Sequence, residues 1–178
     1  MRIGVDILEK ARFERIAAKD RWIRALFTER ELEPISAYSP GRTSEYLAGR
    51  FSAKEAIAKV LGVGFLGRMK WRDIEVLRLS PSGKPYVLLH RFARTRANEL
   101  KVGTVEVSIS HQPTVVVAFA VGQRACACGQ HGESRHGLAG WSRTGPSDAR
   151  PAPDTSSGVP GGEPRSARSS ISEVFSAT

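Results

Sequence analysis

The 178-residue chain has little of what would place it outside a cell or across a membrane. Its two cysteines, Cys126 and Cys128, lie one residue apart and cannot build a disulfide framework. No apolar run approaches the ~18 residues of a membrane span. The opening MRIGVDILE has no apolar core of the signal-peptide kind. Aromatic residues are 7% of the chain, with no stacking platform of the RNA-binding kind. Acidic residues are the scarcer charge, 18 against 27 basic, for a net charge of +9. A cytoplasmic protein is expected, with no membrane partner. A field of this sign favours an anionic partner such as nucleic acid, an acidic protein or a phosphorylated small molecule.

Composition changes after Gly122. Gly, Pro and Ser supply 23 of the 56 residues from Gln123 to Thr178, and periodicity is nearly absent there. Such a segment buries too little apolar surface to offset its ordering entropy, so residues 123–178 are expected to be a disordered tail. Residues 1–122 are expected to form one domain. They hold 21 basic and 13 acidic residues, so +8 of the charge belongs to the domain.

Within the domain, Ile3, Val5 and Ile7 alternate with Gly4 and Asp6, which predicts a strand with Asp6 opposite the apolar residues. A helix is expected over 9–19, with Arg12, Arg15 and Lys19 on one face. A second helix is expected over 20–33 and a loop over 35–43. A long helix should run from Thr43 or Ser44, either serving as N-cap, to Leu61, with Gly62 just past its end. Strands are expected at 73–79, 85–89, 104–110 and 115–121, with a helix from Arg91 to Lys101. Val105, Val107 and Ile109 should face one way and Glu106, Ser108 and Ser110 the other. Without regular βαβ alternation, the pattern predicts an α+β domain with a mainly antiparallel sheet.

Several residues could carry chemistry. Asp6 is a carboxylate in an otherwise apolar strand. Glu55 lies mid-helix with Lys59 four residues on. That pair could be a surface ion pair. Alternatively, Asp6 and Glu55 could converge on Mg²⁺, which takes hard oxygen ligands and substrate phosphates, with Lys54 and Lys59 neutralising the phosphates. The run from Gly62 through Gly64 to Gly67 matches G-x-G-x-x-G, but a helix precedes it rather than a strand, which excludes the dinucleotide fingerprint. Ser108, Ser110 and His111 cluster at a strand end with no evident acid, which argues against nucleophilic hydrolysis. Cys126, Cys128, His131 and His136 fit no common zinc-finger spacing.

Together these pieces resemble the holo-acyl-carrier-protein synthase family. The resemblance rests on G-V-D-I-L-E at Gly4–Glu9, A-G-R-F-S-A-K-E-A-I-A-K at Ala48–Lys59, D-I-E-V at Asp73–Val76, G-K-P at Gly83–Pro85 and V-S-I-S-H at Val107–His111. It implies a 4′-phosphopantetheinyl transferase fold. It also implies transfer of the phosphopantetheine arm of coenzyme A to a serine of an apo acyl carrier protein, in fatty-acid and possibly polyketide synthesis. The matching positions would bind Mg²⁺ at Asp6 and Glu55, with Asp6, Glu55 and Lys59 serving catalysis. Coenzyme A would lie among Arg50, Lys54, Lys59, Gly62, Gly64, Gly83, Lys84, Pro85, Ser108, Ser110 and His111. Arg12, Arg15 and Arg21 would meet the acidic carrier protein. A homotrimer with sites between neighbouring subunits is implied, and nucleic acid is not a partner. Glu106 and Gln112 depart from the family pattern around His111. A basic nucleic-acid binder would explain the charge but not Asp6 and Glu55. A scaffold that only grips carrier proteins would have no need of Asp6, Glu55 and Lys59 together.

Overall fold

The computed structural model describes residues 1–125. The chain enters as strand β1 (Arg2–Glu9), followed by helices α1 (Lys10–Ala17), α2 (Asp20–Leu26) and α3 (Glu29–Leu32). A 3₁₀ turn at Glu33–Ala37 leads into the long helix α4 (Pro40–Leu61). After a second 3₁₀ turn at Trp71–Asp73 come β2 (Ile74–Arg78), β3 (Pro85–Leu89), α5 (Arg91–Glu99), β4 (Val102–His111) and β5 (Val115–Arg124). One sheet has the order β1-β5-β4, and β2 and β3 form a separate pair. All pairing is antiparallel. This is the α+β architecture the sequence implied. No helix among the described residues is long and apolar enough to cross a membrane.

Helix α4 organises the molecule and is buried on nearly every face. Ile57, Val60 and Leu61 share a core with Ile74, Val76, Ala118 and Ala120. Leu47 and Phe51 share a second core with Phe13, Ile23 and Phe27. Each such large apolar side chain contributes roughly 1.5–3 kcal/mol on burial. Ala48, Ala53, Ala56 and Ala58 keep the helix slim enough to be packed from all sides. Gly62 then ends it in the left-handed conformation, φ 65°, as expected of a glycine just past a helix terminus.

The structure corrects four expectations. The helix expected over 20–33 is two helices, because Thr28 stops one and starts the next. The Thr28 backbone N–H donates to the Glu31 carboxylate (2.8 Å), and the Glu31 N–H donates to the Thr28 hydroxyl (3.3 Å), a capping box. The loop expected over 35–43 is largely helical. Helix α4 starts at Pro40, whose fixed φ suits a first turn, so Ser39 rather than Thr43 or Ser44 stands at the N-cap. Ser44 is instead buried, its hydroxyl donating to the Glu14 carboxylate (3.0 Å). Finally, β5 pairs on through Gln123 and Arg124, two residues past the change in composition. The rest of the expected tail, with its Cys and His residues, lies outside the described residues.

Strand β1 alternates as expected, with Asp6 on the opposite face from Ile3, Val5 and Ile7. Ile3, Val5 and Ile7 are 60%, 50% and 68% exposed. Gly4, Asp6 and Leu8 face α4 instead. A Cβ on Gly4 would collide with the Ala56 carbonyl oxygen, so the glycine is what lets strand and helix approach. That approach carries Asp6 to the helix.

Candidate active site

Ser52, Glu55 and Lys59 follow one another at i, i+3 and i+7, which puts them on one face of α4. Asp6 of β1 meets that face. Its Oδ2 accepts from the Ser52 hydroxyl at 2.8 Å, and its Oδ1 accepts from the Lys59 ammonium at 3.0 Å. The Lys59 ammonium also donates to the Val5 carbonyl at 2.6 Å. Glu55 is half-buried beside them. Burial pushes its carboxyl pKa up, and the nearby Asp6 charge pushes it further, while Lys59 and Arg12 act in the opposite sense. The result is a pair of carboxylates that repel each other, offset by Lys59. Ser52 was not singled out in the sequence, although its spacing three residues before Glu55 was visible there.

Hard oxygen donors in mutual repulsion suit a divalent cation of the magnesium type, which keeps waters and needs only one or two carboxylates. Among the described residues no group of three or more His, Cys, Asp or Glu side chains offers a fuller ligand set.

A second feature lies at the other edge of the sheet. Arg50, Gly83, Pro85 and His111 line one cavity of about 140 Å³, together with Tyr46 and Arg78. The Arg50 guanidinium stacks on the Tyr46 ring at 3.7 Å. Its Nε and Nη2 are buried without a hydrogen-bond partner. Burial lowers its pKa, and Tyr46 opposes that shift. An arginine with unused donors in a cavity is suited to phosphate. His111 does have an acidic neighbour, contrary to the sequence reading. The Glu45 carboxylate approaches its Nδ1 at 3.4 Å from α4, a partner that no sequence pattern around His111 discloses. Gly83 adopts φ 71°, and its carbonyl accepts from the Arg78 guanidinium at 3.2 Å.

The remaining candidates scatter. Ser108 and Ser110 are on the exposed face of β4. Ser108 lines an open cavity of about 380 Å³ with Lys84, Pro85, Glu106 and Phe119. Lys84 pairs loosely with Glu106 at 3.6 Å, both exposed. Gly62 and Gly64 lie beyond Lys59 on the loop that leaves α4, and the space a Gly64 side chain would take is open. Arg12 and Arg15 are exposed on α1 and Arg21 on α2, with the Arg21 guanidinium 5.6 Å from the Trp22 ring. Arg15 borders an apolar cavity of about 400 Å³, lined also by Ile16, Trp22, Leu26, Phe51 and Trp71.

Lys54 is the clear correction. Expected near a phosphate, its side chain is 0% exposed and donates inward, to the Leu26 carbonyl (2.7 Å), the Glu31 carboxylate (2.8 Å) and the Trp71 carbonyl (3.2 Å). An ammonium has three donors, and all three are used. Burial lowers its pKa, and Glu31 opposes that shift.

Comparison with known proteins identifies the family. A family model described as the 4′-phosphopantetheinyl transferase superfamily matches residues 2–120. A holo-[acyl-carrier-protein] synthase of Natranaerobius thermophilus is 43% identical over 122 residues, 67% of this chain and 94% of the relative. Among solved structures, Plasmodium yoelii acyl carrier protein synthase with ADP bound superposes with a TM-score of 0.63 at 28% identity, over 70% of this chain and 96% of that one. A holo-(acyl-carrier-protein) synthase from Bacillus anthracis in complex with CoA (3′,5′-ADP) gives 0.58 at 31% identity, over 70% and 96%.

Proposed function

The chain belongs to the 4′-phosphopantetheinyl transferase superfamily, among the holo-[acyl-carrier-protein] synthases, and from that premise we propose that it transfers the arm of coenzyme A to an acyl carrier protein in a Mg²⁺-dependent reaction. The acceptor serine oxygen forms a bond to the phosphorus that carries the pantetheine. The bond from that phosphorus to the bridging oxygen breaks, and adenosine 3′,5′-bisphosphate leaves with that oxygen. The serine proton goes to Glu55, directly or through water. The observation that carries this reading is the meeting of Asp6, Ser52, Glu55 and Lys59 on one face of α4.

Asp6 and Glu55 would hold the metal. When bound, Mg²⁺ would neutralise charge developing on the phosphoryl and its leaving group. Ser52 fixes one oxygen of Asp6, and Lys59 supplies a second positive charge at the same place. The half-buried position of Glu55 raises its proton affinity toward what a general base needs. Coenzyme A would be held by Arg50, Gly83, Pro85 and His111, the residues that share a cavity. Ser108, Ser110 and Lys84 would extend that surface. Arg12, Arg15 and Arg21 present positive charge to an acidic carrier protein, which favours encounter. The reaction would take place in the cytoplasm and serve fatty-acid synthesis, with polyketide carriers as further acceptors. The catalytic domain is taken to end with β5, and the Gly/Pro/Ser-rich remainder is taken as an extension outside it.

A homotrimer is the assembly proposed, and two features of the main sheet support contact between copies. Its outer face exposes Ile3, Val5, Ile7 and Phe119, an apolar area that a second copy would cover. Asp6 sits on β1 and His111 on β4, at opposite edges with β5 between, while α4 carries both Glu55 and Arg50. A complete site would then draw one edge from each of two neighbouring subunits.

The test is the intact mass of an apo acyl carrier protein after incubation with the chain, coenzyme A and Mg²⁺, with a chelator control. A gain of one phosphopantetheine arm that requires the metal is expected. No gain with any of several carrier proteins overturns the reading.

A further inference from the structure

The buried Lys54–Glu31 pair needs its own account, because burying two charges is costly and an apolar pair of similar size is often at least as stable. What an apolar pair lacks is direction. Lys54 is tied to three separate segments at once: the end of α2 through the Leu26 carbonyl, α3 through Glu31, and the 3₁₀ turn before β2 through the Trp71 carbonyl. Glu31 adds β2, accepting from the Val76 N–H at 2.9 Å. No donor or acceptor of the pair is left for solvent.

Two of those anchor points, Leu26 and Trp71, are walls of the apolar cavity beside Arg15. A third wall, Phe51, stands one turn before Lys54 on α4 and stacks on Trp71 with centroids 4.6 Å apart. Trp71 is in turn stacked on Phe65 at 3.7 Å. Glu55 is the next residue after Lys54, so successive side chains of one helical turn present the carboxylate toward Asp6 and the ammonium toward the back of the cavity.

We propose that Lys54 is a positioning residue whose ammonium sets the spacing between the Leu26 and Trp71 walls of the acceptor-docking cavity and, through α4, their distance from Glu55. The proposal rests on the reading above, in which this face receives the carrier protein. It assigns Lys54 to acceptor recognition rather than to coenzyme A.

The test uses the full chain with Glu31→Gln and Lys54→Met combined, which removes both charges together and leaves no lone buried ion. Steady-state kinetics are measured with carrier protein and coenzyme A varied in turn. The expected result is a rise of roughly tenfold in KM for the carrier, with KM for coenzyme A and kcat within about twofold of the parent. In a chain whose Trp22 and Trp141 are replaced by Phe, the same pair of changes should shift the Trp71 emission to the red as its walls loosen. A loss of kcat alone, equal rises in both KM values, or unchanged kinetics overturns the proposal, because each describes a side chain that only fills the core. Should the pair leave too little folded protein, Glu31→Gln combined with Lys54→Gln keeps hydrogen-bonding groups on both sides while removing both charges, and it is judged by the same criteria. Absence of turnover in the parent chain would instead overturn the transferase reading, and the Trp71 emission would still report on the walls.

Discussion

Lys59 reaches from α4 to β1, placing its ammonium 3.0 Å from the Asp6 carboxylate and 2.6 Å from the Val5 carbonyl. The contact joins the carboxylate most exposed to repulsion from Glu55 to the nearest cation. The lysine thus ties helix α4 to strand β1 at the candidate site.

Asp6→Ala and Glu55→Ala should each lower turnover by about 10²-fold or more while leaving the fold intact, as loss of a main electrostatic contributor does. Neither side chain is part of an apolar core cluster. Mass analysis of the carrier protein and far-ultraviolet circular dichroism check the two halves of this statement. Full activity in either variant sinks the assignment of the site.

Glu55 gives a pH dependence with a definite sign. Burial and the Asp6 charge raise its folded pKa above the ordinary value of 4.5. Between those two values the native chain binds more protons than the unfolded chain, so its stability falls as pH rises through that window. Above it the penalty persists in full. Glu55→Gln removes the titration, so in chelator the variant should melt higher than the parent near neutral pH. The gap should close as pH drops below the ordinary carboxylate range, where both side chains are neutral. Thermal melts across pH measure this, and a gap that does not change with pH counts against it. Mg²⁺ should raise the melting temperature of the parent more than that of the variant, which keeps only the Asp6 carboxylate.

Part of this was legible in the sequence for plain reasons. Asp6 is a carboxylate in an otherwise apolar strand, and spacing puts Glu55 and Lys59 on one helical face, while the pairing of Asp6 with Glu55 comes from the family resemblance. Alternation says which residues share a face but not which face turns inward. The apolar set of Ile3, Val5 and Ile7 is the outer one because Gly4 lets α4 approach the other side. Lys54 was misread for a related reason. In a helix buried on nearly all sides, periodicity no longer separates inside from outside, and only the location of Glu31 shows where the ammonium goes. The Glu45–His111 contact joins residues 66 positions apart and depends on how β4 lies along α4.

Arg50 should matter for coenzyme A and not for folding. Its Nε and Nη2 are buried without partners, a cost to the free protein that an incoming phosphate would relieve. Arg50→Met should therefore weaken coenzyme A binding by roughly 10–100-fold, the range of one or two charge-assisted hydrogen bonds. The melting temperature of the free chain should be equal or higher. Calorimetric titration with coenzyme A is the measurement, and an unchanged affinity would remove Arg50 from the binding surface.

The division of the site between sheet edges leads to a test by mixing. Asp6→Ala damages only the β1 edge, and Arg50→Met only the cavity at the β4 edge. If each complete site uses one edge from each of two subunits, co-refolding the two impaired chains, assayed at coenzyme A too dilute for Arg50→Met to turn over well, must rebuild some interfaces in which both edges are intact. The mixture should then regain a fraction of parental turnover that neither variant has alone. Ile7→Lys, which places a charge on the exposed apolar face without touching the core, should abolish that recovery and reduce the mass seen by light scattering. Recovery with Ile7→Lys present, or none without it, would mean that each subunit carries its own complete site and that the apolar face serves another purpose.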